Sequence, residues 1–225
     1  MSRELSLAEV FQLGYYWETK ILLTAVKLDV FSAIDERPKS GQDIAGRLQA
    51  DAPTLGLLLN ALVAMKLLTK EAELYGNSSI AIKYLVRSSP QYVGHLLLLH
   101  DAEWNNWGKL EETIRTGKRT VDRHVFETDP ELGSHVLAVL NRIGQQSGPD
   151  LAKRLKLAGR ERMCDLGGGA GTNAIAFCQV YPDLHATVFD LPETLKLTEK
   201  TVKEAGLESR ITLHPGDFNR NPLGG

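Results

Sequence analysis

The chain has 225 residues, of which 43% are hydrophobic, enough to bury the core of one large domain or two modest ones. Its 26 Lys and Arg nearly balance 28 Asp and Glu, and a formal charge of -2 offers no long-range attraction to phosphate backbones or anionic lipid, so no nucleic-acid partner is expected. Apolar stretches such as 96–99 and 55–68 are too short or too interrupted to span a bilayer, Met1-Ser2-Arg3-Glu4 is not the start of a secretory leader, and Cys164 and Cys178 have no scaffold spacing. The expectation is a cytoplasmic protein with reduced thiols and no membrane partner.

From Val10, the positions Val10, Leu13, Gly14, Trp17, Ile21, Leu22 and Ala25 recur at three- and four-residue steps, which predicts one long helix that must bury this face. A short helix over 30–34 ends near Arg37-Pro38. Ser40 with Asp43 forms the pattern of a capping box for a helix to Leu48. Asp51 is placed to cap a further helix with Pro53 in its first turn and Leu55, Leu58, Leu59, Leu62, Val63 and Leu67 along it. Two extended pieces then follow, Leu67 to Glu71 and Leu74-Tyr75, around a polar turn; three helices and such a wing make a winged-helix pattern. The segment from Ser88 turns helical with Tyr92, Leu96, Leu99, Trp104, Trp107, Leu110 and Ile114 on its apolar face, and Gly117 ends it. After a polar linker over 118–123, a helix from about Pro130 to Leu155 is expected to break or stop near Gly148-Pro149.

At Glu161 the texture changes to alternating strand and helix. Strands are predicted over 162–166, 186–189 and 210–213, with helices to about Val180 and to Ala205 between them, a βαβαβ unit of a parallel sheet. Ligands of such sheets lie beyond the carboxyl ends of the strands. The first strand runs into Asp165-Leu166-Gly167-Gly168-Gly169-Ala170-Gly171-Thr172, where alternate glycines let the backbone approach a ligand and the next helix offers its N-terminus to a negative group. The dinucleotide pattern G-x-G-x-x-G starting at Gly167 would need a glycine where Thr172 stands, which argues against a nicotinamide oxidoreductase. The second strand ends in Asp190-Leu191-Pro192, whose carboxylate can accept both hydroxyls of a ribose, and the third in Gly216-Asp217-Phe218, a carboxylate for an exocyclic amine beside a ring for a purine. Each turn alone is a weak signal; the three in order point to a nucleoside cofactor.

These residues resemble the class I S-adenosylmethionine-dependent O-methyltransferases of the plant small-molecule and bacterial antibiotic-pathway type, over nearly the whole chain. The resemblance rests on the glycine-rich stretch from Asp165 to Gly171, on Asp190-Leu191-Pro192, the most family-specific element, and on Gly216-Asp217-Phe218. Leu67-Leu68-Thr69 at the wing and Ser89-Pro90, taken to open the next helix, match in order. It implies an α/β chain with a winged-helix dimerisation domain over 1–88, a helical connecting region over 89–150 and the first part of a Rossmann-like sheet over 151–225. It further implies S-adenosylmethionine as cofactor, with Asp165, Gly167, Gly169 and Gly171 on its methionine part, Asp190 and Leu191 at its ribose, and Asp217 and Phe218 at its adenine. A homodimer and a small-molecule methyl acceptor, most simply a hydroxyl, complete the implication; whether oxygen, nitrogen or carbon is methylated stays open.

The family's proton acceptor is a histidine after a later strand, and no residue here corresponds to it, so the catalytic residue is unknown. The family's sheet is seven-stranded; at roughly 30 residues per βαβ unit the remaining strands need on the order of a hundred residues more, so the chain is expected to be a C-terminally truncated piece, inactive alone. A truncated relative that serves only as a dimerising or regulatory partner is the alternative. A DNA-binding regulator is the other rival, but the segment from Pro53 to Leu68 carries only Lys66 as a basic side chain, and dimer contact is the better use of it. His95 and His100 are expected to be packing or partly exposed residues of their helix rather than catalysts, Trp104 and Trp107 to pack between helices, and His124 and His135 to lie near the acceptor side without touching it. No carboxylate and histidine cluster has metal-ligand spacing.

Overall fold

The computed structural model describes residues 4–118, 120 and 128–218. The chain divides into two compact units, Met1–Gly133 and Ser134–Gly225. Among the described residues no helix is long and apolar enough to cross a membrane.

In the first unit the predicted long helix is two helices, Leu7–Leu13 and Tyr16–Lys27. Ser6 and Glu9 close a capping box on the first, and Gly14 ends it, its amide bonded back to Phe11 O at 3.0 Å. Of the predicted apolar face, Ile21 and Leu22 are half-buried and Ala25 is buried, whereas Val10, Leu13 and Trp17 stand 48–80% exposed; among the described residues Leu7, Phe11 and Tyr16 beside them are exposed as well. The second helix is anchored instead by its far end, where Leu23, Ala25 and Val26 are buried. Lys20 and Lys27 both donate to Asp101 on the helix Gly94–Ala102, at 2.6 and 2.7 Å, and hold that enclosed carboxyl below the ordinary aspartate range.

The next elements follow their caps. The Ser40 hydroxyl accepts the Asp43 amide and opens the helix Gly41–Leu48, and the Asp51 carboxylate accepts the Thr54 amide and opens Ala52–Ala64. β2 (Leu68–Glu71) and β3 (Leu74–Asn77) pair antiparallel with Lys70 opposite Tyr75. A third strand that periodicity did not reveal, β1 (Lys39–Ser40), joins the other side of β3 with Ser40 opposite Leu74. Two residues are too few to leave an alternating pattern. Phe31, Ile34, Ile44, Leu59 and Leu62, all fully buried, form the core beneath this sheet.

The segment after the wing differs from expectation in two places. Ser89-Pro90 does not open a helix: the Ser89 hydroxyl accepts the Gln91 amide in a turn, and helices run over Gly94–Ala102, Trp104–Trp107 and Leu110–Thr116. Gly117 ends the last of these in the left-handed conformation, as predicted. Trp104 is half-buried with the Lys20 ammonium 4.8 Å from its ring centre, whereas Trp107 is 70% exposed and does not pack between helices. His95 stands edge-on to Tyr92, His100 is exposed, and His124 lies outside the described residues.

The second unit opens within the helix Pro130–Leu155, which runs unbroken through Pro149. Proline removes one backbone donor, but packing supplies the compensation. A side chain on Gly148 would stand 2.7 Å from Ala176, and one on Gly144 2.9 Å from Thr172, so these glycines seat the helix against Thr172–Val180. β4 (Arg162–Leu166), β5 (His185–Asp190) and β6 (Ile211–Pro215) form a parallel sheet in chain order, with Leu166 opposite Phe189 and Asp190 opposite Pro215. The helices Thr172–Val180 and Pro192–Glu204 connect them, and Phe177, Leu184, Val188, Val202 and Ile211 fill the space between helices and sheet.

Candidate functional site

The parallel register brings the three predicted turns to one edge of the sheet. Gly167, Gly169 and Gly171, at the end of β4, have φ of 66°, 57° and 73°, a backbone region that side chains strain to enter. Gly168 was not singled out by the alternating pattern, yet a Cβ there would lie 2.8 Å from Val188 and 2.9 Å from Asp165. Its need for glycine is steric, and no sequence spacing reports it. Gly216 is required in the same way, because a Cβ would meet the Phe189 ring at 2.4 Å.

Asp190 ends β5 with its carboxylate spanning two turns. Its Oδ2 accepts the Gly169 amide at 2.8 Å and its Oδ1 the amide of Leu191 at 2.7 Å. A carboxylate oxygen has two lone pairs, so each retains one toward the open side. Leu191 itself is exposed. Beyond β6, Asp217 is half-buried, and the exposed Phe218 turns its ring edge to Gly167, 3.6 Å from the point a Cβ would occupy. Gly167 and Gly216 donate their amides to Phe189 O and Asp190 O, so all three turns are laced to β5.

Asp165 sits beneath the glycine loop. Its Oδ2 is enclosed without a hydrogen-bond partner among the described residues. Burial pushes its carboxyl above the ordinary aspartate range; the Ala174 amide opposes the shift and the neighbouring charge of Asp190 adds to it. A buried, unpartnered acceptor beside a second carboxylate suits a cationic ligand group, which would restore the lost interaction. The arrangement therefore offers a bare backbone cradle, one enclosed carboxylate for a cation, one carboxylate for vicinal hydroxyls, and a ring beside them.

Three supports lay outside the sequence reading. Thr172 at the start of its helix donates to Asn141 Oδ1 at 2.6 Å. Thr198 and Thr201, on the buried face of Pro192–Glu204, each place a hydroxyl 2.5 Å from a loop carbonyl, of Gly169 and Ala170 respectively. Threonine in a helix gives no sequence cue to such a contact. His135 is exposed, and among the described residues no group of three His, Cys, Asp or Glu side chains is set to hold a metal ion.

Comparison with known proteins identifies the family. Residues 107–225 match the O-methyltransferase domain, and residues 11–87 the O-methyltransferase dimerisation domain. The chain belongs to the O-methyltransferase family. It is 31% identical over 217 residues to N,N-dimethyltransferase OxyT of Streptomyces rimosus, covering 92% of this chain and 63% of that protein. It is 30% identical over 215 residues to 3-hydroxy-5-methyl-1-naphthoate 3-O-methyltransferase of Streptomyces sahachiroi, covering 92% and 61%. The chain thus spans less than two thirds of the length of either relative. Human N-acetylserotonin methyltransferase, solved in complex with SAM, matches with a TM-score of 0.69 at 25% identity, covering 100% of this chain and 70% of that one. The dimerisation-domain match lies within the first unit, and the O-methyltransferase-domain match begins in the first unit and covers the whole of the second.

Proposed function

We propose that this protein belongs to an S-adenosylmethionine-dependent methyltransferase that methylates a small-molecule hydroxyl. The observation that carries the proposal is the Asp190 carboxylate joined to the amide of a glycine loop whose backbone only glycine adopts readily, at the carboxyl edge of a parallel sheet in an O-methyltransferase chain. When bound, the cofactor would supply a methyl group activated on a positive sulfur, open to in-line attack by the acceptor oxygen as the carbon–sulfur bond breaks and the neutral thioether leaves.

The residues of this chain bind and orient. Asp165, with Gly167, Gly169 and Gly171, holds the methionine end: the enclosed carboxylate takes the ammonium, and the ammonium draws the Asp165 carboxyl back toward its ordinary range. Asp190 accepts the ribose hydroxyls on its remaining lone pairs, with Leu191 alongside. Asp217 and Phe218 contact the adenine by hydrogen bond and ring. The family's histidine would take the acceptor proton, and no residue of this chain is assigned that role.

The support for a hydroxyl acceptor is the naphthoate O-methyltransferase relative; the N,N-dimethyltransferase relative favours an amine as the second reading. The protein acts as a homodimer, a reading supported by the dimerisation-domain match and by the apolar side chains around Phe11 that stand exposed among the described residues. Its place is the cytoplasm, consistent with Cys164 and Cys178 standing outside any disulfide.

Calorimetric titration with S-adenosylhomocysteine and, separately, with NAD tests the cofactor. Binding of the first alone is expected; binding of NAD alone would overturn the proposal. Transfer of labelled methyl from S-adenosylmethionine to a panel of aromatic hydroxyls and amines then decides the acceptor atom.

A further inference from the structure

We infer that Thr198 is a positioning residue for cofactor binding: its hydroxyl ties down the carbonyl of Gly169, the residue whose amide is donated to Asp190, and so helps hold the glycine loop in its binding shape. The inference rests on the cofactor reading above. The helix Pro192–Glu204 buries Leu195, Thr198, Thr201 and Val202 on one face, and Thr198 is wholly inaccessible to solvent. A hydroxyl buried among apolar neighbours needs an acceptor, and the usual one for a helical threonine is the carbonyl four residues back. Here that carbonyl, Thr194 O, is 3.3 Å away, while Gly169 O is at 2.5 Å. The hydroxyl is thus directed out of its own helix and onto the glycine loop.

One residue of that loop is consequently held at both of its polar groups. The Gly169 amide is donated to Asp190 and its carbonyl accepts from Thr198, while the carbonyl of Ala170 accepts from Thr201 one turn further along the same helix. Glycine imposes little preference of its own at a φ of 57°. Without an external tie, the peptide that carries the Gly169 carbonyl is free to rotate, and the loop samples shapes that do not fit the ligand. Thr198 reduces that freedom before binding, which is where preorganisation gains affinity. Its methyl also packs at the loop, since a Cβ on Gly171 would stand 2.9 Å from Thr198 Cγ2. Hydroxyl and methyl therefore need separate tests.

The Thr198→Ser and Thr198→Ala variants differ only in the hydroxyl. Titration with S-adenosylhomocysteine should leave the serine variant within roughly threefold of wild type and weaken the alanine variant by roughly tenfold, the scale of one hydrogen bond. Amide hydrogen exchange at Gly169 should quicken in the alanine variant alone. Equal affinities for both variants and wild type would overturn the inference, and so would equal weakening of both, which would trace the effect to the lost methyl. If the alanine variant is isolated unfolded, Thr198→Val, which keeps the methyl and loses the hydroxyl, is compared with wild type instead: roughly tenfold weakening supports the inference and unchanged affinity overturns it. A wild-type protein with no affinity for S-adenosylhomocysteine overturns the cofactor reading and this inference with it, and is told apart by the absence of any binding to compare.

Discussion

Asp190 Oδ2 accepts the backbone amide of Gly169 at 2.8 Å, a contact that joins positions 21 residues apart at the ends of adjacent strands. The side chain that should take the ribose therefore also sets the shape of the loop that should take the methionine end. Asp190→Asn replaces one carboxylate oxygen by an amide that cannot accept the Gly169 proton or a ribose hydroxyl. The affinity for S-adenosylhomocysteine should fall about 10- to 100-fold, the scale of losing hydrogen bonds to a charged group, in an isothermal titration. Unchanged affinity would remove Asp190 from the site.

Asp165 is held in the fold at a cost in stability, which the proposed cation-binding role would account for. Its folded-state pKa is raised chiefly by burial, so the folded chain holds this proton across a window that opens at the ordinary aspartate range and closes at the raised value. Stability from this group is greatest below that window and is lost as pH rises through it. Asp165→Asn should thus melt higher than wild type at neutral pH, by about 2–4 °C for each kcal/mol released. The advantage should vanish below the ordinary aspartate range, while S-adenosylhomocysteine binding is lost. Calorimetric melts at acid and neutral pH, paired with a binding titration, check both halves.

Gly168 and Gly56 should respond in opposite directions to alanine. Gly168→Ala drives a methyl to within 2.9 Å of both the buried Val188 and Asp165, and should cost about 1–3 kcal/mol by overpacking. Gly56 lies within the helix Ala52–Ala64, where a Cβ meets nothing among the described residues within 4 Å. Gly56→Ala should add about 1 kcal/mol from helix propensity. Urea unfolding of both variants gives the two signs directly, and a stabilised Gly168→Ala would contradict the packing described for the loop.

The uncovered N-terminal helix gives the partner prediction. Phe11 is 58% exposed among Leu7, Leu13 and Tyr16, and a dimer that uses this face loses an aromatic anchor in Phe11→Asp. Sedimentation equilibrium should show the wild type as a dimer and the variant weakened by about 30-fold or more. A wild-type monomer at micromolar concentration would leave the face to another partner.

Local signals in the sequence determined much of this protein. The caps at Ser40 and Asp51, the left-handed Gly117, the strand over 162–166 and the order of the three acidic turns all follow from residue types at short spacing, because hydrogen bonds and backbone sterics over three or four positions decide them. Tertiary structure decided the rest. The helix from Pro130 persists through Pro149 because Gly144 and Gly148 let Thr172–Val180 pack against it, and the apparent long helix from Val10 is divided at Gly14 where periodicity alone runs on. Gly168, Thr198 and Thr201 gain their roles only when a strand, a loop and a helix meet. Contacts between groups some 30 residues apart depend on distance in space, and composition and periodicity carry no record of that distance.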